Sequence, residues 1–187
     1  MLSADELERM GFASVGVGVQ LSDKAAVYGA SRIDLGDHVR IDDFCVLSAG
    51  AGGIVLGRHV HLAVYCSLIG AGRIRLGDFA GLSARVSIYS SSDDYSGRAM
   101  TNPTVPPEFT DVTHAEVELG RHVIVGAGSV ILPGVCIGEG AAVGALSLVT
   151  RSCEAFAVYS GTPARRVGPR SRDLLEIEQR FLAARRG

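Results

Sequence analysis

Two adjacent acids, Asp93 and Asp94, with Tyr95 beside them and His114 further on, lie in the stretch IYSSSDDYSGRAMTNPTVPPEFTDVTH, residues 88–114. Carboxylates, a phenol and an imidazole grouped in this way can accept, hold and pass on protons. The stretch also holds three of the six prolines and follows no regular period. Such segments are loops that a rigid scaffold holds out, and they carry function more often than the scaffold does.

The scaffold is legible as a six-residue stride. Aliphatic residues recur at Val15, Leu21, Val27, Leu35, Ile41, Leu47, Leu56, Leu62, Leu68, Leu76, Leu82, Ile88, Leu119, Val125, Ile131, Ile137, Val143 and Val149. Four residues after each of them stands Val, Ala, Ser, Cys or Gly. A helix would need spacings near 3.6, so the pattern predicts a parallel β-helix of hexapeptide repeats. Irregular spacings fall after every third hexad, which makes three hexads one coil and sends each insertion out from the same corner. Six coils are expected, starting at Val15, Leu35, Leu56, Leu76, Leu119 and Ile137. The small residue four places on should fit near a corner. Gly36, Gly57, Gly77, Gly120 and Gly138, one place after the aliphatic residue, should relieve backbone strain there.

Helices are expected at both ends to cap the exposed strand edges. Ser3 and Glu6 form a capping box, Leu2 can staple against Leu7, and Gly11 stops the helix. At the other end Leu174, Ile177 and Phe181 fall on one helical face. The expected division is a capping helix in residues 1–14, a β-helix in 15–168 with a loop protruding at 93–118, and a C-terminal helix in 169–187.

Composition narrows the partners. A net charge of −2 over 187 residues argues against nucleic acid, whose phosphates call for a basic surplus. No apolar stretch reaches bilayer length and the first residues lack the pattern of a signal peptide, so a cytoplasmic protein without membrane insertion is expected. Cys45, Cys66, Cys136 and Cys153 show neither metal nor disulfide spacing and read as reduced, buried thiols. Within the hexads His38, His59 and His122 share one register, three places after the aliphatic residue, and read as polar turn residues. His61 falls five places after Leu56, one coil before Gly81, where it could face a cleft.

The hexads, the segment IVGAGSVILPGVCIGEGAAVGALSLVT and the ending VYSGTPARRV resemble the hexapeptide-repeat acyltransferases, the group of galactoside, maltose and xenobiotic acetyltransferases, over residues 15–168. The look is nearest to sugar acetyltransferases of bacterial surface-polysaccharide pathways. That resemblance implies a left-handed β-helix, a homotrimer, and acetyl-coenzyme A bound between two subunits, with no metal. It also implies that the long loop walls the acceptor pocket of the neighbouring subunit.

By the same resemblance Asp93 stands where these enzymes carry a basic histidine, and Arg85 where they carry an asparagine that holds the acceptor. A carboxylate is a weak base for a sugar hydroxyl, whereas an amine attacks unaided and sheds its proton afterwards. The expected reaction is therefore N-acetylation of a nucleotide-linked amino sugar. O-acetylation is the alternative, favoured if His114 lies in the pocket. Substrate contacts are expected from His61, Arg85, Asp94 and Tyr95, with Arg85 either binding a phosphate or sugar oxygen or pairing with Asp93 or Asp94. Coenzyme A is expected along Gly126, Ala127, Gly144 and Ala145, small residues that packing alone could also require, with Thr150, Arg151 and Arg165 at its adenine and phosphate end. A silent scaffold and a zinc enzyme of the γ-carbonic-anhydrase kind are the readings from other classes.

Overall fold

A computed structural model describes residues 1–185. Three parallel sheets wind around one core. The first runs through Ser14–Val15, Ile33–Leu35, Ile54–Leu56, Ile74–Leu76, Val117–Leu119 and Cys136–Ile137. The second begins at Gln20–Leu21 and includes His61–Leu62, Gly81–Leu82, Ile124–Val125 and Ala142–Val143. The third runs from Ala26–Tyr28 to Leu148–Val149. This is the parallel β solenoid expected from the hexads, in agreement with a left-handed β-helix with short terminal helices.

The core is built by register. Leu35, Leu56, Leu76 and Leu119 are direct neighbours in the first sheet. Leu47, Leu68, Ile88 and Ile131 are neighbours in the third. All eight are at most 1% exposed. Full burial of one such side chain contributes about 1.5–3 kcal/mol relative to leaving it in water. The small residues four places on pack as expected after the first two hexads of a coil, for example Val39, Cys45, Val60, Cys66, Ala80 and Val86, all buried. After the third hexad of the coils that carry an insertion the register shifts, whereas Val135 and Cys153, in coils without one, are buried four places on. Ser31 and Ala51 are exposed, and the core position is taken instead by Ile33, Ile54, Ile74 and Val117, just before the next coil begins. At that corner the inserted residues loop out, so a larger side chain fills the space.

The five glycines after the aliphatic residue have a different reason from the one expected. None of them has a positive φ. A Cβ there would lie 2.5–2.8 Å from atoms of the adjoining coil, mainly backbone, so glycine is required by the close stacking of coils. The left-handed turn falls two places later, on His38, His59, Phe79 and His122 at one corner and on Phe44, Tyr65 and Arg85 at the next, with φ between 56° and 63°. The first group forms a column, as the shared register of the three histidines implies: His38 and His59 stack at 4.7 Å, His59 and Phe79 at 5.0 Å, Phe79 and His122 at 5.0 Å. Rings stacked face to face do not converge on a point, as metal ligands must. Among the described residues no group of three or more His, Cys, Asp or Glu side chains could hold a metal ion.

Both ends differ in detail from expectation. The N-terminal helix α1 spans Ala4–Arg9 with its capping box formed, and Gly11 takes φ 69°. A seventh, partial coil follows the six: Cys153 bridges to Ile137, and Ala157–Ser160 joins the second sheet beside Ala142–Val143. The strand Arg165–Pro169 then pairs antiparallel with Ala157–Ser160 and closes the edge that a helix was expected to cover. The C-terminal helix α2, Asp173–Ala184, lies against the histidine corner, where Leu174, Ile177 and Phe181 face His59, Phe79 and His122. Its buried residue is Glu178, which accepts hydrogen bonds from Arg121 and from His122. Cys45, Cys66 and Cys153 are buried, but Cys136 faces outward on the first sheet and is exposed. Among the described residues no helix is long and apolar enough to cross a membrane.

Candidate active site

The chemistry-bearing residues gather in two places. One is the loop. Ser91–Ser92 and Thr113–His114 pair antiparallel and clamp its base, so the extended excursion is shorter than 93–118. Between base and tip the loop curls round an open hollow of about 600 Å³ lined by Asp93, Asn102, Val105, Thr110 and His114 among others. His114 therefore does fold back beside Asp93, with its Nδ1 2.7 Å from Ser91 Oγ.

The adjacent acids differ in role. Asp94 accepts hydrogen bonds from the backbone N–H groups of Ser96, Arg98 and Ala99 at 2.9, 2.9 and 3.0 Å. Hydrogen bonds from Ser96 lead in holding its carboxyl down to about 2. Asp94 organises the loop, and its oxygens are occupied. Among the described residues the Asp93 carboxylate accepts no hydrogen bond; only its backbone carbonyl does, from Ser92. Tyr95 is 94% exposed and lies outside the cavity lining. Because the folded value for Asp94 is depressed, its contribution is complete above the ordinary carboxylate range and is lost as pH falls through about 2. Asp94→Asn should accordingly lower the exchange protection of the Ser96, Arg98 and Ala99 amides, while in the native chain that protection, corrected for the intrinsic rise of exchange with pH, stays constant between about pH 5 and 8.

The other place is a hollow on the second sheet, about 300 Å³, lined by His61, Ala63, Gly81, Ser83, Ala84 and Ile124 together with Leu82. Strand pairing sets its geometry, since Gly81 lies between His61 and Ile124 in neighbouring coils. His61 Nε2 donates to Asp42 Oδ2 at 2.9 Å, and Arg40 Nε donates to Asp42 Oδ1 at 2.7 Å. Burial pushes the Asp42 carboxyl up, but the hydrogen bonds from Arg40 and His61 outweigh it and leave the group below its usual range. From inside the prism the Cys66 thiol donates to the Ser83 carbonyl at 3.1 Å. A larger hollow of about 550 Å³ under α1, lined by Leu2, Leu7, Phe12, Val15 and others, brings no such groups together.

Arg85 pairs with neither acid. Its guanidinium lies over the Tyr65 ring, 5.2 Å from the centroid, and Tyr65 stacks on Phe44. The reason is topological: Arg85 turns the corner from the second sheet to the third, whereas Asp93 and Asp94 follow the far end of the third-sheet strand Ser87–Tyr89. The same argument separates Ser83 from Asp93 within one chain.

Of the residues expected along coenzyme A, Gly126 and Ala127 follow Val125 as Ser83 and Ala84 follow Leu82, and Gly144 and Ala145 repeat the pattern one coil on. The packing reading suffices for Gly126, where a Cβ would sit 2.4 Å from Ala145 N. Thr150, Arg151 and Arg165 are exposed, and among the described residues the Arg165 guanidinium bonds only to its neighbour's carbonyl, Ala164 O, at 3.0 Å.

No protein-family model matches the chain. It is 53% identical over 176 residues, 94% of this chain and 92% of the other, to a dTDP-4-amino-4,6-dideoxy-D-glucose acyltransferase of Escherichia coli. The chain belongs to the hexapeptide-repeat acyltransferases. This acyltransferase is also similar to AntD, an N-acyltransferase from Bacillus cereus. The structure of AntD with dTDP and 3-hydroxybutyryl-CoA matches at TM-score 0.95 and 42% identity, covering 100% of this chain and 98% of that one. A variant of AntD was solved with dTDP-4-amino-4,6-dideoxyglucose and coenzyme A, at TM-score 0.94. The AntD variants carry replacements at one serine and at one aspartate ten residues further on. In the present sequence Ser83 and Asp93 are the only serine and aspartate at that spacing. A maltose O-acetyltransferase of Clostridium difficile shares the fold, at 21% identity and TM-score 0.60.

Ser83 escaped sequence reading because serine fills corner positions throughout the chain. Its spacing from Asp93 acquires meaning only beside a relative.

Proposed function

We propose that this chain transfers the acyl group of a coenzyme A thioester to the amino group of a nucleotide-linked amino sugar, with dTDP-4-amino-4,6-dideoxyglucose as the leading candidate. The observation that carries this reading is the 53% identity, spread over 94% of the chain, to an acyltransferase of that sugar. The amine nitrogen attacks the thioester carbonyl carbon, the C–S bond breaks, and coenzyme A leaves as a thiolate. Attack makes the nitrogen cationic and acidic, so the unengaged Asp93 carboxylate is base enough to take its proton.

Ser83 and Asp93 leave one prism at different corners, and this supports a site made from two copies, the loop of one reaching the Ser83 hollow of the next. A homotrimer supplies that arrangement three times by symmetry. In each site the flat run of Ser83, Ala84, Gly126, Ala127, Gly144 and Ala145 would hold the pantetheine arm, with Thr150, Arg151 and Arg165 at the phosphate end. Nucleotide sugars and coenzyme A thioesters are metabolites of the cytoplasm, and we place the reaction there, upstream of a surface polysaccharide such as an O-antigen. The acyl group first expected is acetyl.

Transfer to a hydroxyl has one observation in its favour, His114 in the cavity with Asp93. Incubating the purified protein with acetyl-coenzyme A and matched amino and hydroxyl nucleotide sugars separates the two. Thiol release and a product mass gain are expected with the amino sugar, while turnover confined to hydroxyl acceptors would reverse the assignment.

A further inference from the structure

Glycine inside a strand costs about 0.5–1 kcal/mol relative to alanine, and where it persists it marks a bulge or the close approach of another group. Most glycines here have one of two reasons within the fold. Some adopt a positive φ, such as Gly18, Gly128 and Gly140; others, such as Gly36, Gly120 and Gly126, press against the next coil, where a Cβ would lie 2.4–2.7 Å from its backbone. Among the described residues only Gly81 and Gly168 have neither reason. Gly168 sits beside the register shift of the terminal antiparallel pair. Gly81 is in a regular strand, and a Cβ there would meet nothing within 4 Å.

The open space over Gly81 is the hollow walled by His61, Ala63, Ser83, Ala84 and Ile124. Its walls are mainly apolar, which suits a hydrocarbon chain better than a sugar ring. Ile124 remains 45% exposed on its rim. At the opposite rim His61 is tied through Asp42 to Arg40, a fixed wall rather than a mobile side chain. Ser83 projects from the same face as Gly81, two residues on, and continues the small-residue run assigned above to the pantetheine arm.

We infer that this hollow receives the acyl chain of the donor, that Gly81 sets its upper size, and that donors longer than acetyl are substrates. The inference rests on the proposed acyl transfer and on the placement of the arm along Gly126 and Gly144. A thioester beside Ser83 then directs its acyl chain across Gly81 towards His61.

The test compares acetyl-, propionyl- and butyryl-coenzyme A at saturating dTDP-4-amino-4,6-dideoxyglucose, following thiol release by the full chain. The native protein should use butyryl-coenzyme A within about tenfold of acetyl-coenzyme A. Gly81→Val should then lower kcat/KM for butyryl at least ~30-fold more than for acetyl, within the range that one or two methylene groups command in an apolar pocket. Gly81→Ala, whose added methyl has free space, should fold normally and give an intermediate ratio. An unchanged butyryl-to-acetyl ratio in Gly81→Val would overturn the inference, as would a rise confined to the KM for the sugar, which would give the hollow to the acceptor. Turnover with acetyl alone also overturns it while leaving the acyl-transfer reading intact. No turnover with any donor would instead strike at that reading, and the inference with it.

Discussion

Asp93→Asn lowers kcat by roughly a hundredfold, the usual contribution of a positioned general base, with little change in thermal stability. The stability half follows from geometry: among the described residues the Asp93 carboxylate holds no hydrogen bond, so removing its charge breaks nothing in the fold. The catalytic half follows from the contrast with Asp94, whose oxygens are committed to three backbone N–H groups. Asparagine keeps the shape and loses the ability to take a proton from the cationic nitrogen formed on attack. Steady-state kinetics with the amino sugar decide the matter. A near-normal kcat would hand proton removal to His114 or to the departing thiolate.

Leu68→Ala carries the largest expected loss of stability. Leu68 is fully buried at the centre of the third sheet, between Leu47 and Ile88. Truncation removes its transfer free energy and leaves a cavity that stacked coils cannot collapse around, at a cost of roughly 3–5 kcal/mol. For a chain of this size each kcal/mol moves the melting temperature by about 2–4 °C, so a fall on the order of 10 °C is expected in thermal unfolding at fixed protein concentration. Val55→Ala, on the outward side of the first sheet, should cost well under half of that. Equal losses would mean that the inward register does not carry the core.

The coils were legible because one aliphatic position in six faces inward and must match its neighbours above and below. Leu47, Leu68 and Ile88 announce that by spacing alone. The corners were less legible, since their demands come from the adjoining coil. Gly120 reads as a strain-relieving turn residue until the stacked backbone of Glu139 is seen 2.7 Å from its missing Cβ. Likewise His59 reads as a polar turn residue until Phe79 and Phe181 are seen against its ring.

The seventh coil escaped because Cys153 and Ala157 are small and break the aliphatic stride. In the site, Asp93 and His114 were visible as chemistry in an irregular segment, and the structure brings them to one cavity. Arg85 was misjudged in one of its two readings because proximity in sequence hid a corner of the prism between it and the acids. Asp42, which fixes His61, gave no signal because acids are common at outward corner positions.

In the proposed assembly Ser83 of one copy and Asp93 of another complete a single acyl-transfer site, because one prism holds them at different corners. Co-expressing Ser83→Ala and Asp93→Asn chains with different tags, and purifying assemblies that carry both, tests this most directly. Each variant alone should be nearly inactive. The doubly tagged trimers should show about a third of native turnover on the amino sugar, since in a ring of either mixed composition one shared site in three draws an intact Ser83 from one chain and an intact Asp93 from its neighbour. Mixed assemblies no more active than either parent would contradict the shared site.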